Sequence, residues 1–206
     1  MPYLSHLLDA KILDSADVVI GRLRDVAVAP EEGRYVPLAY LKVEKKKSGQ
    51  IIYVPYEYVE NFSKEEVSLR TVLRKVPHKD EIGQKYLFLR QDVFDQQIVD
   101  ISGARVVRVN DLRIGDFDGK MSVLGIDIST KGLLRRLGVE WFDVFDLLTS
   151  HLIDWRQAQP IHRMLKLDTV SKSLHKLHPA DLANIIEDLS VKRGRDFVSS
   201  LDAKNA

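Results

Sequence analysis

The chain has no cysteine, which removes disulfides, thiolate metal sites and cysteine nucleophiles at once and fits a reducing compartment. It also lacks any apolar run approaching the roughly 20 residues that a membrane-crossing helix needs. The opening Met1-Pro2-Tyr3-Leu4-Ser5-His6 lacks the basic start and continuous apolar stretch of a signal peptide. The expectation is therefore a cytoplasmic chain with no direct membrane insertion of its own. Neither sign of charge dominates: 31 Lys+Arg face 30 Asp+Glu, a net +1. That balance argues against a surface given over to nucleic acid or anionic lipid and leaves only local patches, so nucleic acid is not the expected partner. Catalytic signatures are missing too. There is no phosphate-binding glycine loop, no dinucleotide fingerprint and no Ser-His-Asp set with a supporting local motif, so the expectation is a non-enzyme that requires no cofactor. What is plentiful is apolar side chain, 45% of 206 residues, enough to fill one large core or two to three small ones.

An internal repeat organises these residues. Ile12 to Val28 aligns without gaps on Ile98 to Ile114, 86 positions on, with identities at Ile12/Ile98, Asp14/Asp100, Arg22/Arg108 and Asp25/Asp111. Apolar residues match at Leu13/Val99, Ile20/Val106, Leu23/Val109, Val26/Leu112 and Val28/Ile114. The same spacing carries Gly33-Arg34 onto Gly119-Lys120 and Leu38 onto Leu124. Val54-Pro55-Tyr56 then resembles Ile153-Asp154-Trp155 at a spacing of 99, which predicts a 13-residue insertion in the second copy between Ile128 and Leu152. The apolar pattern has period two within each half of the long strand, but Leu23 to Val26 and Val109 to Leu112 are odd steps. The inward face must therefore switch at Asp25 and at Asp111, as at a β-bulge or sharp bend. Copy one continues as a hairpin: Tyr35 to Val43, a polar tip Glu44 to Gln50, and a return strand Ile51 to Val54. Ser129 to Gly138 in copy two reads as a helix with Leu133, Leu134 and Leu137 on one face. It is followed by the apolar segment Trp141 to Phe145.

The strings Asp92-Val93-Phe94-Asp95-Gln96-Gln97-Ile98-Val99-Asp100 and Arg105-Val106-Val107-Arg108-Val109-Asn110-Asp111-Leu112 resemble the PRC-barrel family, which includes a module of the ribosome-maturation factor RimM. They are most similar to PRC-barrel modules that precede an MgtE-type N domain. Gly21-Arg22-Leu23-Arg24-Asp25-Val26 resembles a more generic member. The resemblance implies one small β-barrel per copy, over residues 1–90 and 91–167; the insertion in the second copy, read from the residues themselves, is helical over 129–148.

After Pro160 the character becomes helical. Asp168 or Thr169 caps a helix with Val170, Leu174 and Leu177 on one face; Pro179 starts a second with Leu182, Ile185, Ile186 and Leu189; Ser190 caps a third using Phe197, Val198 and Leu201. The string Leu177-His178-Pro179-Ala180-Asp181-Leu182-Ala183-Asn184-Ile185-Ile186-Glu187-Asp188-Leu189 is similar to the opening of the cytosolic N domain of MgtE magnesium transporters. The resemblance implies a superhelix of short helices, CBS-type modules downstream and acidic side chains that sense Mg²⁺. By that analogy alone Asp181, Glu187 and Asp188 are the metal candidates and Mg²⁺ the effector.

Other candidates are weighed on chemistry. Asp116-Phe117-Asp118-Gly119 places glycine fourth, where a calcium loop needs it sixth, so it reads as a hairpin turn. Arg22/Asp25 and Arg108/Asp111 read as bend-fixing or ion-pairing residues because they recur at equivalent positions. His175 and His178 lack a third ligand at helical spacing. Lys45, Lys46 and Lys47, with Lys42, concentrate charge on the first hairpin and are the candidate RNA contact, although no aromatic ladder accompanies them in the sequence. Trp141, Phe142 and Phe145 are the candidate interface of a homodimer.

The expectation is thus an α+β chain: two small PRC-type β-barrels in tandem with a C-terminal bundle of short helices at 168–206. Its expected function is that of a non-enzymatic cytosolic regulatory or assembly module, the N-terminal part of a longer protein linked to magnesium sensing or transport and then held at the cytosolic face of the membrane. The alternatives are an RNA- or ribosome-associated adaptor like RimM and a structural dimerisation scaffold.

Overall fold

A computed structural model describes residues 2–29, 34–100, 105–129 and 151–160. The helical insertion, the Trp141 to Phe145 segment and the tail fall outside the described residues. The chain begins with a short helix, α1 (Leu4–Leu7), which buries Leu4 and Leu7 completely and ends where Asp9 turns into the left-handed region at φ 64°. The strands among the described residues are β1 (Lys11–Leu13), β2 (Val19–Val28), β3 (Val36–Lys45), β4 (Ile51–Pro55), β5 (Val59–Phe62), β6 (Glu66–Leu69), β7 (Leu87–Phe88), β8 (Gln97–Asp100), β9 (Arg105–Arg108), β10 (Asp111–Phe117), β11 (Lys120–Asp127), β12 (Leu152–Asp154) and β13 (Ala158–Pro160). The β-rich reading holds, but in place of two separate barrels the strands form one large, mixed, curled sheet plus a small one. The large sheet runs β10-β11-β3-β2-β1-β6-β5, with β12 added to β11, β4 to β3 and β7 to β2, and the small one runs β13-β8-β9. A single apolar core serves both copies, with Leu23, Leu41 and Ile52 from the first packed in one cluster with Val109, Leu112 and Ile126 from the second.

The pairing registers confirm the repeat strand by strand. Lys11 faces Arg22 and Ile12 faces Gly21 in copy one; Gln97 faces Arg108 and Ile98 faces Val107 in copy two, each 86 positions on. The predicted change of face occurs where expected: the β2–β3 register shifts between Leu23 and Asp25, and β9 gives way to β10 immediately before Asp111. After the following turn the spacing becomes 85 rather than 86. Val26 faces Leu41 and Val28 faces Leu38, while Leu112 faces Ile126 and Ile114 faces Val123. Leu38 therefore corresponds to the buried Val123, not to Leu124. The 99-residue spacing of the later strand is upheld, since Leu41 faces Val54 as Ile126 faces Ile153. The insertion is accordingly 14 residues, the difference between 99 and 85, because the second hairpin turn is one residue shorter. That turn is the predicted one: Asp118 (φ 54°) and Gly119 (φ 72°) both adopt the left-handed conformation of a tight two-residue hairpin, and Asp116 Oδ1 accepts the Gly119 N–H.

The copies meet about a local two-fold. Pro37 of β3 faces its own equivalent, Ser122 of β11, and Val36 faces Val123, so the sheet passes from one copy to the other without a break. The two bend aspartates then act across this axis. Asp25 Oδ1 accepts the N–H of its neighbour Val26 and that of Arg90, each at 2.7 Å, and Oδ2 accepts Gln91 N–H at 3.0 Å. Asp111 Oδ1 accepts Leu112 N–H at 2.8 Å and Ser5 N–H at 3.2 Å, and Oδ2 accepts the Ser5 hydroxyl at 2.6 Å. Ser5 and Gln91 are 86 apart, so each copy's bend caps the helical turn that opens the other. The turn following each helical segment is duplicated as well: Asp9 (φ 64°) and Asp95 (φ 60°) donate their N–H groups to Leu23 and Val109 carbonyls respectively. Arg22 does not pair with Asp25; its guanidinium donates to the Asp9 carbonyl at 2.8 Å.

A further seam contact ties the start of β3 to the end of β12. The Tyr35 hydroxyl donates to Asp154 Oδ2 at 2.8 Å, Arg156 pairs with the same carboxylate at 2.7 Å, and the Arg156 guanidinium lies 4.6 Å from the Tyr35 ring centre. The hydrogen bonds from Arg156 lead in holding the Asp154 carboxyl at about 2.

These contacts generate two predictions. Asp25→Ala removes the acceptor of the Arg90 and Gln91 N–H groups and should cost about 1–3 kcal/mol in urea unfolding, the usual cost of leaving donors without their partner. Its signature is reciprocal: amide exchange should accelerate at Arg90 and Gln91, in the opposite copy, whereas Asp111→Ala should accelerate it at Ser5. The second concerns acid. Because the folded Asp154 pKa lies below its unfolded value of 3.8, its contribution is complete above that value and is lost as pH falls towards about 2. Asp154→Asn should flatten the loss of stability in that window while leaving unfolding above it pH-independent at this site.

Candidate functional site

On β3 the inward residues Leu41 and Val43 are fully buried, which leaves Tyr40, Lys42 and Glu44 on the opposite, outer face. The neighbouring strands extend that face. Lys42 faces Tyr53 of β4, and Ala27 of β2 sits in register between Tyr40 on one side and Phe88 of β7 on the other. Ala27 is itself fully buried, a small residue between flanking rings.

Four partly exposed rings gather here with three lysines. Tyr40 and Tyr86 meet edge to face at 5.1 Å, and Tyr53 and Phe88 lie 5.7 Å apart at a tilt. Lys42 Nζ is 5.2 Å from the Phe88 ring centre, Lys79 Nζ is 5.5 Å from Tyr40, and Lys85 Nζ is 5.2 Å from Tyr86, all within cation–π range. Backbone pairing of Tyr53 with Lys79 ties the 79–86 loop to β4. Burial and the nearby Glu81 and Asp25 carboxylates push the Tyr53 hydroxyl up, so that ring stays neutral across the physiological range. Burial pushes the Asp25 carboxyl up as well, despite three backbone donors, and Lys42 favours its charged form.

Further along β3 the same face opens into a groove of about 340 Å³ lined by Lys11, Gly21, Arg22, Arg24, Lys45 and Lys46 among others. Arg24 is already engaged, donating to Glu44 Oε2 at 2.5 Å and pairing with Asp9; Glu44 leads in raising its pKa. The groove floor depends on Gly21. A β-carbon there would lie 2.0 Å from the Glu44 carbonyl oxygen, so β2 and β3 approach more closely than any other residue would allow.

The sequence candidates fall out as follows. Lys45 and Lys46 enter this groove, and Lys47 is exposed at the hairpin tip beside them. Trp141, Phe142, Phe145, Asp181, Glu187, Asp188, His175 and His178 lie outside the described residues. Among the described residues no group of three or more His, Asp or Glu side chains could hold a metal ion, and no helix is long and apolar enough to cross a membrane. Sequence reasoning missed the rings. Tyr40, Tyr53, Tyr86 and Phe88 are spread over 49 positions and become neighbours only through the β4-β3-β2-β7 order. The signal available was that Tyr40, Lys42 and Tyr53 occupy polar-side positions of predicted strands. A second hollow, of about 380 Å³, opens near the two-fold between Ser5, Leu8, Asp9, Arg90, Phe94 and Asp95. Of these, Ser5 and Arg90 take part in the reciprocal caps, and Asp9 and Asp95 form the turns that follow the helical segments.

A scan against protein-family models finds no match to this sequence, and a search of curated proteins finds none either.

Gly21→Ala should force β2 from β3 at the groove and cost about 1–3 kcal/mol, the usual range for overpacking a tight contact. Amide NMR should show the displacement centred on Glu44, Lys45 and Lys46; unchanged spectra there would remove Gly21 from the account of the groove.

Proposed function

We propose that this chain is a non-enzymatic interaction module made of two PRC-type copies, of which the first presents its outer face to a partner. The observation that carries this reading is the divergence of the copies. Where copy one has Ala27, Tyr40, Lys42 and Tyr53, copy two has Arg113, Gly125, Asp127 and Leu152 in equivalent pairing positions. Copy two builds the same strands without Tyr40, Lys42 and Tyr53, although Tyr3 bridges Arg113 where Phe88 pairs with Ala27, so the strand pairing does not require those three side chains. Side chains drawn from separate strands, dispensable to the pairing and left partly exposed, are suited to contact.

The PRC-type assignment rests on the Val106-Val107-Arg108-Val109-Asn110-Asp111-Leu112 string and is supported by the matching bends at Asp25 and Asp111. The link to magnesium rests on the resemblance of Leu177 to Leu189 to the MgtE N domain. On that reading the fused copies form a rigid platform from which the tail, with Asp181, Glu187 and Asp188, reports Mg²⁺ to CBS-type modules at the cytosolic face of the membrane.

A Mg²⁺ titration of the whole chain, followed by amide NMR, tests the regulatory half of this proposal. Saturable shifts confined to the 168–206 segment are expected, and they should weaken when Glu187 and Asp188 are replaced by Gln and Asn. Spectra that do not respond sink the magnesium link and leave the contact face standing on its own evidence.

A further inference from the structure

We infer that the outer face of copy one binds single-stranded nucleic acid, with bases stacking on Tyr40, Tyr86 and Phe88 and phosphates drawn to Lys42, Lys79 and Lys85. The inference rests on reading this face as a contact surface and names the partner's chemistry. Each of the three rings already has a lysine ammonium 5.2–5.5 Å from its centre. Each ammonium lies over a ring face, so a phosphate that draws the lysine aside opens that face to its base, and stacking on aromatic rings combined with a basic track is how unpaired strands are held.

Competing partners fit less well. An acidic protein segment would use the lysines and leave the rings without a role. An apolar partner would use the rings and bury three ammonium groups. A duplex keeps its bases stacked inside, out of reach of rings that stand edge to face and tilted on a curled sheet. The basic track also continues. Beyond Lys42 along β3 the acidic side chain of Glu44 is neutralised by Arg24, and the groove then supplies Arg22, Lys45 and Lys46. Asp80, engaged by the Gln50 amide beside Lys45, and Glu81, close to Tyr53, border the track along β4. They give the track a boundary on that side.

Fluorescence anisotropy of a labelled oligouridine of about ten nucleotides, a length within the site sizes of single-strand binders, is the direct test. Binding is expected at low salt, at least about tenfold tighter than for a duplex of the same length. Replacing Lys42, Lys79 and Lys85 together by Gln should make the log–log salt slope shallower by about 2, at roughly 0.7 for each phosphate no longer neutralised. Tyr86→Ala should weaken binding about fivefold or more with the slope unchanged, and Tyr86→Phe should retain most of the affinity, since the ring stacks rather than the hydroxyl. Circular dichroism of each variant confirms that it is folded. Binding of polyglutamate or phosphatidylserine vesicles in place of oligouridine, abolished by the lysine replacements, would overturn the nucleic-acid inference and keep the contact face. No binding of any polyanion at low salt would overturn both.

Discussion

A carboxylate buried at a strand bend is the interaction on which this structure depends. A twisted strand that must change its inward face leaves backbone donors unpaired at the kink, and an aspartate beside the kink satisfies them locally. At Asp25 and Asp111 the carboxylate does more, because its second role is to accept N–H groups from the helical turn of the other copy. The exchange explains why a single core forms. Neither copy's opening turn is capped by its own bend, so the local order of each half is completed only when both are in place, and the Pro37/Ser122 pairing then closes the sheet between them. It also explains why both aspartates tolerate burial: Asp111 is fully buried and Asp25 nearly so, yet each is surrounded by donors.

Much of this was legible in the sequence because strands write their pairing as period two. The odd steps Leu23 to Val26 and Val109 to Leu112 located both bends, and the equivalence of Gly33-Arg34 with Gly119-Lys120 pointed to the Asp118-Gly119 hairpin. The errors have a common cause. A one-residue difference in turn length leaves no trace in the apolar pattern as long as a hydrophobic residue stands at either position, as Val123 and Leu124 do, so a constant spacing pairs Leu38 with the wrong one. The reciprocal caps were illegible for another reason. They join residues 65 and more apart through backbone N–H groups, which carry no side-chain signature. The expectation of two barrels assumed that each copy closes on itself, and nothing in a one-dimensional repeat distinguishes self-closure from exchange about a two-fold.

Duplication also separates what folding requires from what it does not, without any second sequence. Positions that agree between the copies are those that turn, cap or fill: Asp25 with Asp111, Leu23 with Val109, Val28 with Ile114. Positions that disagree include the outer face of β3 and β4, where Tyr40, Lys42 and Tyr53 stand against Gly125, Asp127 and Leu152. The strand order brings Tyr40, Tyr53, Tyr86 and Phe88 together beside Lys42, Lys79 and Lys85, not beside Lys45 to Lys47.

The fold and the outer face are joined at Lys42. Its ammonium lies over the Phe88 ring and is also a charge that offsets the desolvation of Asp25, to which it is paired across the strands. Copy two has Asp127 at this position, opposite Asp111, with its carboxylate turned to the Ser129 backbone and hydroxyl instead. One cross-strand position thus carries a cation where the outer face holds rings and a carboxylate where it does not.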